Sequence, residues 1–139
     1  MIDEQLVAEA RLAEEAWAHL KRTGQPATRR LLNGSVVCTY GDTGCAFMPA
    51  IKPEHLYEAI ERNTSASNML ATASEWVHEW ARPIRLRFAT SVQAAHDDLR
   101  HVTPGDQFIT KFAKELERVC GNSKVPFPAD AAKWLEEHA

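Results

Sequence analysis

The sequence predicts a single α+β domain over residues 1–139, mainly helical, with five to six helices packed on a β-hairpin or small antiparallel meander at about residues 28–51. Three observations predict it. Apolar residues recur at spacings of three and four in several segments, which is the signature of amphipathic helices. Between Thr28 and Ile51 that spacing gives way to Val36, Val37, Thr39, Tyr40 and Phe47, strand-forming residues interrupted by Asn33-Gly34 and Gly41-Asp42-Thr43-Gly44. No repeat, low-complexity segment or linker divides the 139 residues, a length at which one domain with its own core is the ordinary outcome.

The first helix is expected over residues 3–23. Asp3 can cap it, Glu4 and Glu9 suit its positive end, and Leu6, Ala10, Ala13, Trp17 and Leu20 fall on one stripe. Lys21 and Arg22 suit the negative end, and Gly24 supplies a left-handed stop. Strands are expected at 35–40 and 45–51, with a third open at 28–32, because Asn-Gly between strand-prone runs accepts the positive φ of a tight reversal. Pro53 fits the first turn of a second helix over 53–62. Ser65 or Ser67 opens a third, with Met69, Ala73, Trp76 and Trp80 on one stripe until Pro83 ends it. Phe88, Val92, Ala95 and Leu99 mark a fourth, although residues 84–88 also alternate like a strand. Thr103-Pro104 precedes a fifth with Phe108, Phe112, Leu116 and Val119, ending at Gly121; a short last helix carries Trp134 and Leu135.

Bulk composition excludes some function classes. A net charge of −3 argues against a general polyanion binder, whose affinity depends on displacing counterions from many phosphates. No apolar run approaches the ~18 residues needed to span a bilayer, so no membrane role is expected. Met1-Ile2-Asp3-Glu4 lacks a basic, apolar leader, and three cysteines cannot complete a disulfide framework. Reduced thiols in a cytoplasm are the expectation.

Cys38 and Cys45 stand on either side of the second turn, and their relation depends on register. With Tyr40 opposite Cys45, both thiols share a face as a diagonal pair with Cβ atoms up to ~7 Å apart. That is too far for a disulfide, which needs ~3.8 Å, yet open to a shared metal. With Gly44 as a bulge, Gly41 pairs with Cys45 and the thiols face opposite ways. The structural reading makes Cys38, Tyr40, Gly44, Cys45, His96 and Asp97 parts of the architecture, with the thiols as small hydrophobes. No cofactor is expected on the structural reading; the alternative metal reading takes Cys38 and Cys45 with His55, His96 or His101 as zinc ligands. Cys120, in an apolar helix end, reads as core.

The run Cys38-Thr39-Tyr40 followed by Gly44-Cys45-Ala46, with Gln93-Ala94-Ala95-His96-Asp97 further on and Phe127-Pro128 after the fifth helix, resembles a pattern in small uncharacterised phage and bacterial proteins. The resemblance spans roughly residues 15–128. Phe47-Met48-Pro49 stands where that pattern carries a small residue and Gly. The resemblance implies a phage or prophage setting and supplies no activity.

Three function classes follow. The leading expectation is a non-enzymatic accessory protein of phage or prophage type, acting through protein–protein contact on a host machine or defence system. The second is a metal-dependent hydrolase or zinc-stabilised module using Cys38, Cys45, His96 and Asp97, with His78 and Asp130 as further hydrolase ligands. The third is a nucleic-acid binder through Arg82, Arg85 and Arg87, extended by Arg29 and Arg30. Trp76 and Trp80, one turn apart, are the candidate interface anchors, since Trp is enriched at binding hot spots. No Gly-x-Ser-x-Gly elbow, phosphate-cradling loop or dinucleotide fingerprint is present.

Overall fold

The structure is a computed structural model that describes residues 3–25, 28–30, 32–34, 36–38, 46–62 and 65–138, with the backbone alone for 28–30, 36–38 and 60–62. Among these residues six α-helices follow in order: α1 (Glu4–Thr23), α2 (Leu56–Arg62), α3 (Ala66–Thr72), α4 (Leu86–Asp97), α5 (Asp106–Ser123) and α6 (Ala129–His138). Four single 3₁₀ turns, at Met48–Ala50, Pro53–His55, Ser74–Trp76 and Glu79–Ala81, join them.

α1 begins and ends for the reasons its sequence supplies. The Asp3 carboxylate accepts the N–H groups of Gln5 and Leu6 at 3.0 and 3.2 Å. Gly24 sits at φ 66°, ψ 13°, and its N–H closes on the Leu20 carbonyl at 2.8 Å. The buried stripe is rotated from the expected one. Leu12, Ala16 and Ala8 join Ala13, Trp17 and Leu20 in the core, while Leu6 stands partly exposed.

The expected α+β class is overturned: among the described residues the fold is helical apart from one short two-stranded ladder. Of the strand expected at 45–51, the described residues 46–51 form a turn and a 3₁₀ turn instead, with Ala50 N–H on Phe47 O and Ile51 N–H on Met48 O, each at 3.0 Å. Pro49 explains the change, because it has no N–H to give a ladder and its fixed φ suits the start of a helical turn. Ala46, Phe47 and Ala50 are buried against α1. Earlier in the chain, Thr28–Arg30 and Val36–Cys38 pair antiparallel with Thr28 opposite Cys38. That ladder is three pairs long, and among the described residues its one extended contact is with itself. Among the described residues no helix shares an extended contact with that ladder.

The third expected helix is also cut short. α3 stops at Thr72, and Ala73 leaves helical geometry at φ −137°, ψ 44°. Backbone groups beyond it are claimed by the 50–52 segment: Lys52 N–H donates to Trp76 O and His78 N–H to Ala50 O, both at 2.8 Å, around a bridge between Ile51 and Val77. Met69, Ala73 and Trp76 reach the core even so, whereas Trp80 turns partly outward. Residues 84–88, ambiguous in sequence, enter α4 at Leu86. α5 starts at Asp106, two residues after Pro104, and runs past Gly121 to Ser123, where Lys124 closes it at φ 57°.

The core is shared by α1, α4 and α5 through Leu12, Trp17, Phe88, Val92, Phe108 and Phe112, all buried. Two polar ties align the remaining helices. Gln93 of α4 accepts the Ala66 N–H at 2.7 Å, adding a cap to α3 beside Ser65, whose hydroxyl accepts the Asn68 N–H at 3.2 Å. Asp130 of α6 accepts the Trp17 indole N–H at 2.7 Å and the Lys21 ammonium at 2.8 Å, both from α1. The Trp17 and Trp134 rings meet edge to face at 6.2 Å.

Candidate functional site

The turn between Glu79 and Arg85 carries most of the candidate binding residues, and the structure divides them. Arg85 precedes α4 as its N-cap. Its N–H donates to Glu9 Oε2 at 2.9 Å, its Nε to the same oxygen at 2.9 Å, and its Nη2 to Glu9 Oε1 at 2.9 Å. Nη2 also reaches the Ser123 carbonyl at 3.2 Å, so one side chain joins α1, α4 and the end of α5. Glu9 is 1% exposed and the Arg85 side chain 43%. Hydrogen bonding to Glu9, followed by its charge, pushes the Arg85 guanidinium above its ordinary value. Arg82 is tied as well, its Nε donating to the Ser74 carbonyl at 3.2 Å. Arg87 is exposed on α4. Of these three arginines, Arg85 and Arg82 make internal contacts, and the side chains of Arg29 and Arg30 lie outside the described residues.

The two tryptophans also part company. Trp76 is buried, with the His55 ring stacked on it at 6.2 Å and 17°. Trp80 is half-buried at the surface. The Arg11 guanidinium lies 4.4 Å from its ring centroid, and His78 stacks at 6.5 Å. Beside Trp80 runs an open groove of about 370 Å³ between α1 and the 79–83 turn, lined by Glu4, Val7, Ala8, Arg11, Glu79, Trp80 and Pro83. Val7, 55% exposed, is an apolar side chain left in solvent at its edge.

Among the described residues the metal and hydrolase candidates form no cluster of three. His96 is fully buried, with Nδ1 2.8 Å from Asp97 Oδ1. His55 Nδ1 pairs with Glu58 Oε2 at 2.9 Å, on its own helix end. His78 lies on Trp80, His101 is exposed, and Asp130 is held by Lys21 and then Trp17, whose hydrogen bonds lower its pKa. Among the described residues no three His, Cys, Asp or Glu side chains come together to hold one cation. Tyr40, Gly44 and Cys45 lie outside the described residues, and Cys38 is described by backbone only. Cys120 is a buried free thiol whose pKa burial pushes up to about 11, which makes it a poor nucleophile.

Glu9, Arg11 and Gln93 were not anticipated in these roles. For Glu9 a signal exists: it stands three, four and seven residues before Leu12, Ala13 and Ala16, an acid on a buried stripe that must find a cation or donors. Arg11 and Val7 carry no such mark, since their setting is made by a turn about seventy residues on. No helix of the described residues is long and apolar enough to cross a membrane. The chain matches no protein-family model, no curated protein and no solved structure at a significant level.

Proposed function

We propose that this protein works through protein–protein contact rather than as a catalyst, and that a partner seats on the face around Trp80. The observation that carries the reading is the groove itself, where a half-exposed tryptophan lies under an arginine and beside an exposed valine. Trp and Arg are the residue types that dominate binding energy at interfaces, and such anchors sit in concave, partly apolar settings. Arg85 supports the reading indirectly, because its grip on Glu9 and Ser123 holds rigid the start of α4, just after the 79–83 turn that forms one wall. The setting attached to this function, a phage or prophage accessory acting on a host machine or defence system, is carried over from the resemblance of Cys38 to Cys45 and Gln93 to Asp97.

A photo-activated cross-linker at Val7 tests the reading, used in the cells that make the protein. The expected result is one dominant protein adduct that is absent when Trp80 is changed to Ala and absent from a control position such as Glu136 on α6. The adduct partner, purified, should bind the wild-type protein directly. Equal cross-linking from Val7 and Glu136, or an adduct indifferent to Trp80→Ala, overturns it.

A further inference from the structure

The groove beside Trp80 has an unbalanced set of charges. Its one cation, Arg11, is already engaged: the guanidinium faces Trp80, and Nε lies 3.7 Å from Glu15 one turn along α1. Its two acids are not. Glu4 opens α1 and Glu79 opens the 79–81 turn, so they stand on the two elements that wall the groove. Among the described residues neither carboxylate has a hydrogen bond or ion pair. The partial positive charge at the start of α1, about half a unit, is shared with the capping Asp3 and does not cancel both. Apart from these charged groups the lining is apolar, made of Val7, Ala8, Pro83 and Trp80.

We propose that the occupant is a protein segment bearing a lysine or arginine flanked by apolar residues. Its cationic head would sit at Glu4 and Glu79, its methylene stem would lie along Val7 and Pro83, and its apolar neighbours would meet Trp80. An acidic segment meets the opposite balance: two free carboxylates, and a cation whose charge is already shared with Glu15. This inference rests on the Trp80 face being the docking face.

Two labelled peptides serve as probes, a short amphipathic lysine–leucine helix and its glutamate–leucine counterpart, with binding read by fluorescence anisotropy at physiological ionic strength. The lysine peptide is expected to bind saturably and the glutamate peptide not to bind. The double variant Glu4→Gln, Glu79→Gln should weaken binding about tenfold. Val7→Asn should weaken it comparably, and Glu136→Gln with Glu137→Gln should leave it unchanged, circular dichroism confirming the fold of each. Undiminished binding by the Glu4, Glu79 variant, equal affinity for the glutamate peptide, or no binding of either peptide overturns the proposal. So does a self-association of the protein, seen by sedimentation, that Val7→Asn abolishes, since a second copy would then be the occupant. The docking face itself is judged separately by the Val7 cross-link, which can succeed while this charge dependence fails.

Discussion

The Glu9 carboxylate in the middle of α1 takes both the backbone N–H and the guanidinium of Arg85, seventy-six residues later in the chain. One buried acid thereby sets where α4 begins, and through the Arg85–Ser123 contact it also fixes the end of α5. A buried carboxylate without such partners would be strongly unfavourable, so the two residues are mutually dependent.

Removing either partner has a different cost. Glu9→Ala leaves the Arg85 N–H unmatched in the interior and is expected to destabilise by on the order of 2 kcal/mol, while the guanidinium turns to water. Arg85→Ala leaves a buried charge behind and should cost more than Glu9→Ala. Arg82→Ala and Arg87→Ala should both be milder than either. Urea unfolding midpoints give the order, and equal midpoints for the three arginine variants would contradict it.

Asp130 links α6 to acid stability. Its hydrogen bonds from Lys21 and Trp17 lower its pKa below the ordinary 3.8. A carboxylate depressed on folding adds stability above its unfolded value, and that contribution disappears as pH falls through the folded value. Unfolding free energy should therefore drop as pH goes below about 4, and Asp130→Asn should show a flatter profile there. Tryptophan fluorescence should report the change through Trp17 and Trp134, and a variant whose profile matches wild type would rule the linkage out.

Cys120 should be chemically silent in the folded protein. Burial raises its thiol to about 11, so at neutral pH almost none is thiolate. Alkylation by iodoacetamide, mapped by mass spectrometry, should spare Cys120 under native conditions and label it fully in urea. Rapid native labelling at that position would contradict the packing of α5.

Gln93 acts as a remote cap for α3. Gln93→Ala removes the acceptor for the Ala66 N–H and is expected to cost about 1 kcal/mol. Ser65→Ala should cost a similar amount, and the double variant more than either alone. Amide exchange at Ala66 and Asn68 should accelerate selectively, whereas uniform acceleration across the chain would point to global destabilisation instead.

What could be read from the chain is whatever neighbours in sequence decide. Asp3, Gly24, Ser65 and the periodic Phe108, Phe112 and Leu116 predict their caps and helices because capping bonds and stripes span only one to three turns. The same local logic misleads over residues 46–51, where strand-prone residues surround Pro49, and over Ser65 to Pro83, where one continuous stripe hides a break. The first outcome turns on Pro49, whose missing N–H outweighs the strand-prone neighbours, whereas the second depends on a contact between Ala50–Lys52 and Trp76–His78, and no local propensity encodes which distant backbone group will claim a carbonyl. The candidate face has the same origin. Trp80 is recognisable as an aromatic anchor, but its groove exists only because α1 lies alongside the 79–83 turn. Short-range hydrogen bonding was thus determined by the sequence alone, whereas the pairing of Glu9 with Arg85 and of Arg11 with Trp80 was decided by tertiary packing, which brings together groups the chain keeps some seventy residues apart.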